Sequence, residues 1–214
     1  NIPHTAPTYL GGGGPSWSGY CVVLPFEMYR QYGDIRILEE SFPTIERWLA
    51  FMESHSKNNM LVRWGSKWSF LGDWLWPNAW TERSAMEKQG LALGDTRETL
   101  FFNNCIWIHN LELASRIAGI LGKEQEKQNY HSRAEMIRKA VHQEFFNSED
   151  NSYVNGYQAY LATALAANVP PGNLHSKVWE RLEHEIRVKR KGHFWGGITA
   201  GSYLFYVLLD SGCH

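Results

Sequence analysis

TRETLFFNNCIWIHNLELASRIAGIL, residues 96–121, is apolar almost all round a helix. Leu100, Phe101, Cys105, Ile106, Trp107, Ile108, Leu111, Leu113, Ala114 and Ile117 leave no wide polar face. A helix of that kind is buried on most sides. The segment that follows, 123–146, is different: Tyr130, Ala134, Ile137, Val141 and Phe145 recur at helical spacing and form one apolar stripe. Residues 34–57 carry a similar stripe, Leu38, Phe42, Ile45, Leu49 and Met52. Residues 156–168 and 202–209 read like the all-round type, and 174–187 like the one-sided type with its charges outward. Helices buried nearly all round thus alternate with helices buried on one side. An inner ring wrapped by an outer ring, an all-α toroid, produces that alternation; a plain helical bundle is the rival. Turns are marked by Gly122-Lys123, residues 147–155 and Val169-Pro170-Pro171-Gly172. Pro25 lies inside an otherwise helical stretch, where it kinks a helix or marks its start. About eight helices, no strand and no internal linker are expected, hence one domain over 1–214.

Composition excludes several function classes. The 214 residues are 43% apolar and 14% aromatic, enough for a large core, and carry a net charge of −1. There is no basic footprint for nucleic acid and no apolar run of membrane-spanning length. The dense charge run from Arg187 through Lys191 reads as a solvated helix end. Cys21, Cys105 and Cys213 are odd in number and have no metal or disulfide spacing; the first two read as core residues. No His pair with a third ligand suggests a metal, and Gly11–14 lacks the Lys-Ser/Thr of a phosphate loop. Neither metal nor cofactor is expected. The chain opens on Asn1-Ile2-Pro3 and stops at His214 directly after an apolar segment, so a larger parent protein is expected.

RWGSKWSFLGDWLWPNAW, residues 63–80, concentrates Trp64, Trp68, Trp74, Trp76 and Trp80 at spacings that fit no single helix or strand face. Gly65, Gly72, Pro77 and Asn78 punctuate the backbone as a loop. A loop rich in indoles suits a sugar, whose C–H faces pack on aromatic rings; the alternative is a plug for the end of a core. Asp73, between Gly72 and Trp74, is either a hydroxyl acceptor, and a weak catalytic candidate, or a cap. Gln158 beside Tyr157 can donate and accept at a sugar diol, or bond backbone as a buried amide. His193 and Trp195 sit in a glycine-flanked loop that suits a binding rim, a core or a cap, while His109 reads as a core histidine.

Ordered together, Pro15-Ser16-Trp17, Tyr29–Asp34, Gly72-Asp73-Trp74-Leu75, Ala118–Lys123, Tyr157–Ala162, Ala164–Pro170 and Gly196-Gly197-Ile198-Thr199 resemble the (α/α)6-barrel catalytic domain of glycoside hydrolase family 78 α-L-rhamnosidases. The resemblance implies an incomplete (α/α)6 toroid and an inverting glycosidase; the rival readings are another (α/α)6 glycosidase and a helical carbohydrate-binding or scaffold domain that has lost its acids. In inverting chemistry one carboxylic acid protonates the leaving oxygen and a second carboxylate activates water. It implies a rhamnose-containing glycoside or polysaccharide as partner, and a secreted or periplasmic location. It implies that Trp17 and Trp74 line the rhamnose pocket. The family's acid motif precedes the position matched by Trp17 and its base follows the final helix matched here, so neither is expected within these residues. Two departures stand out. The family's Trp-Gly-Asp-Ala is Trp17-Ser18-Gly19-Tyr20 here, and its Gly-Thr-Pro is Ala200-Gly201-Ser202. The candidate substrate-binding set is Trp17, Asp73, Trp74, Trp76, Tyr157, Gln158, His193 and Trp195.

Overall fold

A computed structural model of the protein describes residues 2, 12, 14–66, 69–76 and 96–212. Helix dominates, in the order α1 (Pro15–Ser18), α2 (Tyr20–Tyr32), α3 (Arg36–Ser54), α4 (Arg97–Ile120), α5 (Glu124–Phe145), α6 (Gln158–Ala166), α7 (Gly172–His184) and α8 (Ile198–Asp210). A single π-helical turn, Glu185–Lys189, continues α7.

Three antiparallel hairpins pair α2 with α3, α4 with α5, and α6 with α7. Across hairpins, α4 touches α2 and α6, and α6 touches α8. The inner row therefore runs α2, α4, α6, α8, with α3, α5 and α7 behind it. Burial follows the periodicity. Eight of the nine residues of α6 are buried, against four of the 22 in α5: Ala134, Ile137, Val141 and Phe145. The stripe of α3 is buried as expected, from Leu38 to Met52. This is the layering of the (α/α)6 class.

Local signals set the helix ends. The Thr96 hydroxyl accepts the Thr99 N–H and caps α4, leaving one fewer free amide at its first turn. Gly122, at φ +71°, reverses the chain after α4, and the Lys123 N–H returns to the Ala118 carbonyl. A left-handed residue of this kind costs glycine little. Pro25 and Pro43 do not end their helices; α2 and α3 run through both.

Two expectations change. The hairpin tips contain short antiparallel pairs, Ser56–Lys57 with Met60–Leu61 and Phe146–Asn147 with Ser152–Tyr153. In the first, Asn58 and Asn59 both adopt positive φ, the two-residue turn that fits a twisted hairpin. Strands of two residues are too short to leave a period in the sequence. The second change is α8. Its apolar residues are not buried all round: Ile198, Phe205, Tyr206 and Leu209 are exposed. On α2 the exposed set is Tyr20, Leu24, Met28 and Tyr32. Among the described residues these helices stand at the two ends of the inner row, and each has an inner neighbour on one side only. Cys105 is fully buried and Cys21 half-buried, and burial pushes the Cys21 thiol up to about 12. Cys213 lies outside the described residues, as do Trp68 and Trp80.

Candidate functional site

The one-turn helix α1 and the N-terminal ends of α6 and α8 meet the loop at 69–76. Trp17, in the one-turn helix before α2, meets Trp74 edge to face, with ring centroids 6.1 Å apart. Both indoles are partly exposed. Such a pair presents an L-shaped apolar corner of the kind a sugar ring can pack into.

Asp73 holds this corner onto α8. It is fully buried, and its carboxylate accepts the N–H groups of Trp74 at 3.0 Å, Gly197 at 2.6 Å and Ala200 at 2.9 Å. The Ile198 N–H donates to the Trp74 carbonyl at 2.7 Å. A helix leaves its first amides without partners, and an acid from a distant loop supplies them here. Burial pushes the Asp73 carboxyl up to about 6, against the lowering pull of those N–H bonds. The geometry is that of a helix cap, with the oxygens turned to backbone and away from any open space. The close approach also dictates residue 197: a Cβ there would lie 2.2 Å from the Trp74 carbonyl oxygen and 2.6 Å from Asp73 Oδ1.

The three described tryptophans of the loop, Trp64, Trp74 and Trp76, do not share one wall. Trp64 packs with Phe51, His55 and Phe70. Trp76 is only 3% exposed and sits under Tyr157 and Tyr160, plugging the top of α6. Trp74 is the described member of the cluster that meets Trp17. Gln158 is fully buried; its amide donates to the His193 carbonyl at 2.9 Å and accepts the Trp195 N–H at 3.0 Å. Both ends are committed to backbone, so Gln158 clamps the 193–195 loop. His193 is exposed on that loop, and Trp195 and Tyr157 are half-buried. Arg190 was not singled out by sequence; its guanidinium stacks 3.8 Å above the Trp195 ring.

A cavity of about 870 Å³ lies along the inner row and is lined in part by Ser16, Tyr20, His109, Asn110, Tyr203 and Tyr206. None of the eight candidate residues lines it. His109 is thus a wall residue, edge to face with Tyr203. Burial and then the Arg116 charge depress its pKa to about 4, against the opposing pull of Glu27 and Glu112. Across α4 and α5, Glu112, His131 and Glu135 offer atoms within 4.8 Å of one another. Arg138 pairs with both acids and offsets one of their two charges. No described helix is long and apolar enough to cross a membrane.

Comparison with known proteins agrees with this architecture. The bacterial α-L-rhamnosidase six-hairpin glycosidase domain matches residues 1–214. An α-L-rhamnosidase of Formosa agariphila is 28% identical over 213 residues, 99% of this chain and 21% of that protein. One from Alteromonas sp. is 30% identical over 150 residues, 70% of this chain and 15% of that protein. The crystal structure of Streptomyces avermitilis α-L-rhamnosidase complexed with L-rhamnose superposes with a TM-score of 0.77 at 26% identity, covering 97% of this chain and 18% of that one. The Aspergillus terreus enzyme, at 19% identity and a TM-score of 0.79 over 99% of this chain and 23% of that one, shares the fold. The chain spans about a fifth of the length of the curated relatives it matches. With a helix row of the (α/α)6 class and a match along its whole length, this chain belongs to the bacterial α-L-rhamnosidase six-hairpin glycosidase family.

Proposed function

We propose that this chain forms part of the catalytic domain of an inverting α-L-rhamnosidase that removes terminal α-L-rhamnose from glycosides or polysaccharides. The observation that carries the reading is the Trp17–Trp74 corner at the N-terminal ends of the inner helices, in a chain that matches the family throughout. The corner takes the apolar face of the sugar. Tyr157, Trp195 and His193 form its rim, and Asp73, Trp76 and Gln158 act from beneath by fixing the loops that carry the rings.

The general acid and general base are supplied by other parts of a longer protein. Asp73, the carboxylate nearest the corner in sequence, is fully engaged by backbone amides and so is not free for either role. The exposed apolar stripes of α2 and α8 are where the further helices of the domain pack. Inversion requires the two carboxyl groups to flank the sugar with room for a water between.

The test is hydrolysis of an aryl α-L-rhamnoside by the full-length protein, with the first-formed anomer followed by NMR. Release of β-L-rhamnose is expected. Release of the α-anomer would overturn inversion. Rhamnose binding without turnover would favour the other reading, a carbohydrate-binding domain that has lost its acids.

A further inference from the structure

The charged segment after α7 is not a simple solvated helix end. The π-helical turn Glu185–Lys189 widens the chain, and the Arg190 N–H closes it on the Glu185 carbonyl at 3.0 Å. Such turns break the regular register of side chains and are frequent at functional sites. Here the turn brings the Arg190 guanidinium to 3.8 Å from the Trp195 ring centroid and 5.3 Å from that of Tyr157. Its Nε lies 3.3 Å from Glu185. Neither Nη group has an acceptor among the described residues, and the side chain is 25% exposed.

The charges around it do not balance. Glu185 is 1% exposed and is shared by Arg181 at 3.3 Å, Lys189 at 3.5 Å and Arg190 at 3.3 Å. Asp150 offers a second carboxylate, to Arg181. Among the described residues, three cations therefore share two anions. The platform is also held rigid, because Gln158 clamps the backbone on both sides of Phe194. It adjoins the tryptophan corner through the chain: two residues after Trp195, Gly197 bonds Asp73, and the next N–H bonds the Trp74 carbonyl.

Resting on the carbohydrate reading of this site, we propose that Arg190, Trp195 and Tyr157 form a subsite for an anionic sugar unit beside the rhamnose corner. The ring surface left open beside the guanidinium takes the C–H face of the sugar. The unspent guanidinium fork takes its carboxylate or sulfate, a planar donor pair suited to bidentate anions. An aromatic ring behind the guanidinium fixes its plane before the ligand arrives, which lowers the entropy lost on binding.

The test is calorimetric titration of the full-length protein with D-galacturonate, D-galactose 6-sulfate and D-galactose. D-galacturonate or the sulfate should bind about tenfold more tightly than D-galactose, the worth of one charge-assisted contact. Raising salt should erode that preference. Whichever of the two anions wins identifies the group recognised. Arg190→Gln should bring all three affinities together, and Arg190→Lys should fall between, keeping the charge without the planar stack. Equal affinity of the unaltered protein for all three sugars overturns the proposal, even where Arg190→Gln fails to fold. A preference that survives in folded Arg190→Gln also overturns it. Hydrolysis of an aryl α-L-rhamnoside, a neutral substrate, reports separately on the rhamnosidase reading.

Discussion

Replacing Asp73 with alanine separates a capping role from a ligand role. The substitution leaves the buried amides of Trp74, Gly197 and Ala200 without their acceptor. An unsatisfied buried donor costs about 1–3 kcal/mol, so three cost about 6 kcal/mol before relaxation. Against this, the alanine removes a carboxylate that is itself costly to bury. Its pKa, raised from 3.8 to about 6, corresponds to about 3 kcal/mol above pH 6. The net loss near neutral pH is about 3 kcal/mol. Urea unfolding of the full-length protein, followed by tryptophan fluorescence, measures it. Fraying should begin at the N-terminus of α8, where hydrogen exchange of the Gly197 and Ala200 amides should accelerate most. A variant with unchanged stability and unchanged exchange, but weakened rhamnose affinity, would refute the capping argument and give Asp73 to the ligand.

Three further outcomes follow from the same geometry. Gly197→Ala should destabilise by about 3 kcal/mol, because the new Cβ would sit 2.2 Å from the Trp74 carbonyl oxygen and must push the loop off α8; a crystal structure with Trp17 and Trp74 still in contact and no loss of stability would contradict it. Asp73 and His109 should oppose each other in acid. The raised Asp73 contributes stability below pH 3.8 that is lost as pH rises through about 6, whereas the depressed His109 contributes stability above 6.5 that is lost as pH falls through about 4. Stability should therefore rise with pH over this window in Asp73→Ala and fall in His109→Gln, each by up to about 1.4 kcal/mol per pH unit; parallel pH curves would deny the shifts. Trp74→Ala should weaken rhamnose binding to the full-length protein by about 1–3 kcal/mol in calorimetry, the apolar burial of a large ring, and unchanged affinity would return Trp74 to a packing role.

How much of this was legible beforehand differs by level. The alternation of all-round and one-sided helices read from residues 96–121 and 123–146 matches the burial of α4 and α5, because a side chain's direction on a helix is set by its own position in the turn. The apolar pattern of α8 was legible too, but not its exposed face, which depends on which neighbours stand beside it. In the candidate site, the cap reading of Asp73 and the buried-amide reading of Gln158 were each open alternatives. What chose between them was contact with residues 124 and 35 positions away.

Sequence by itself determined the helical class, the layering and the family resemblance, since these rest on periodicity and on the order of short motifs. Tertiary structure alone decided that Trp17 meets Trp74, that Trp64 and Trp76 turn into separate packing clusters, and that Arg190 lies on Trp195 with its Nε on Glu185 and its Nη groups unspent among the described residues. The physical reason is that a helix stripe is encoded by spacing within one turn after another. A contact between loops is encoded only by the packing of every helix between them, and no local period records it.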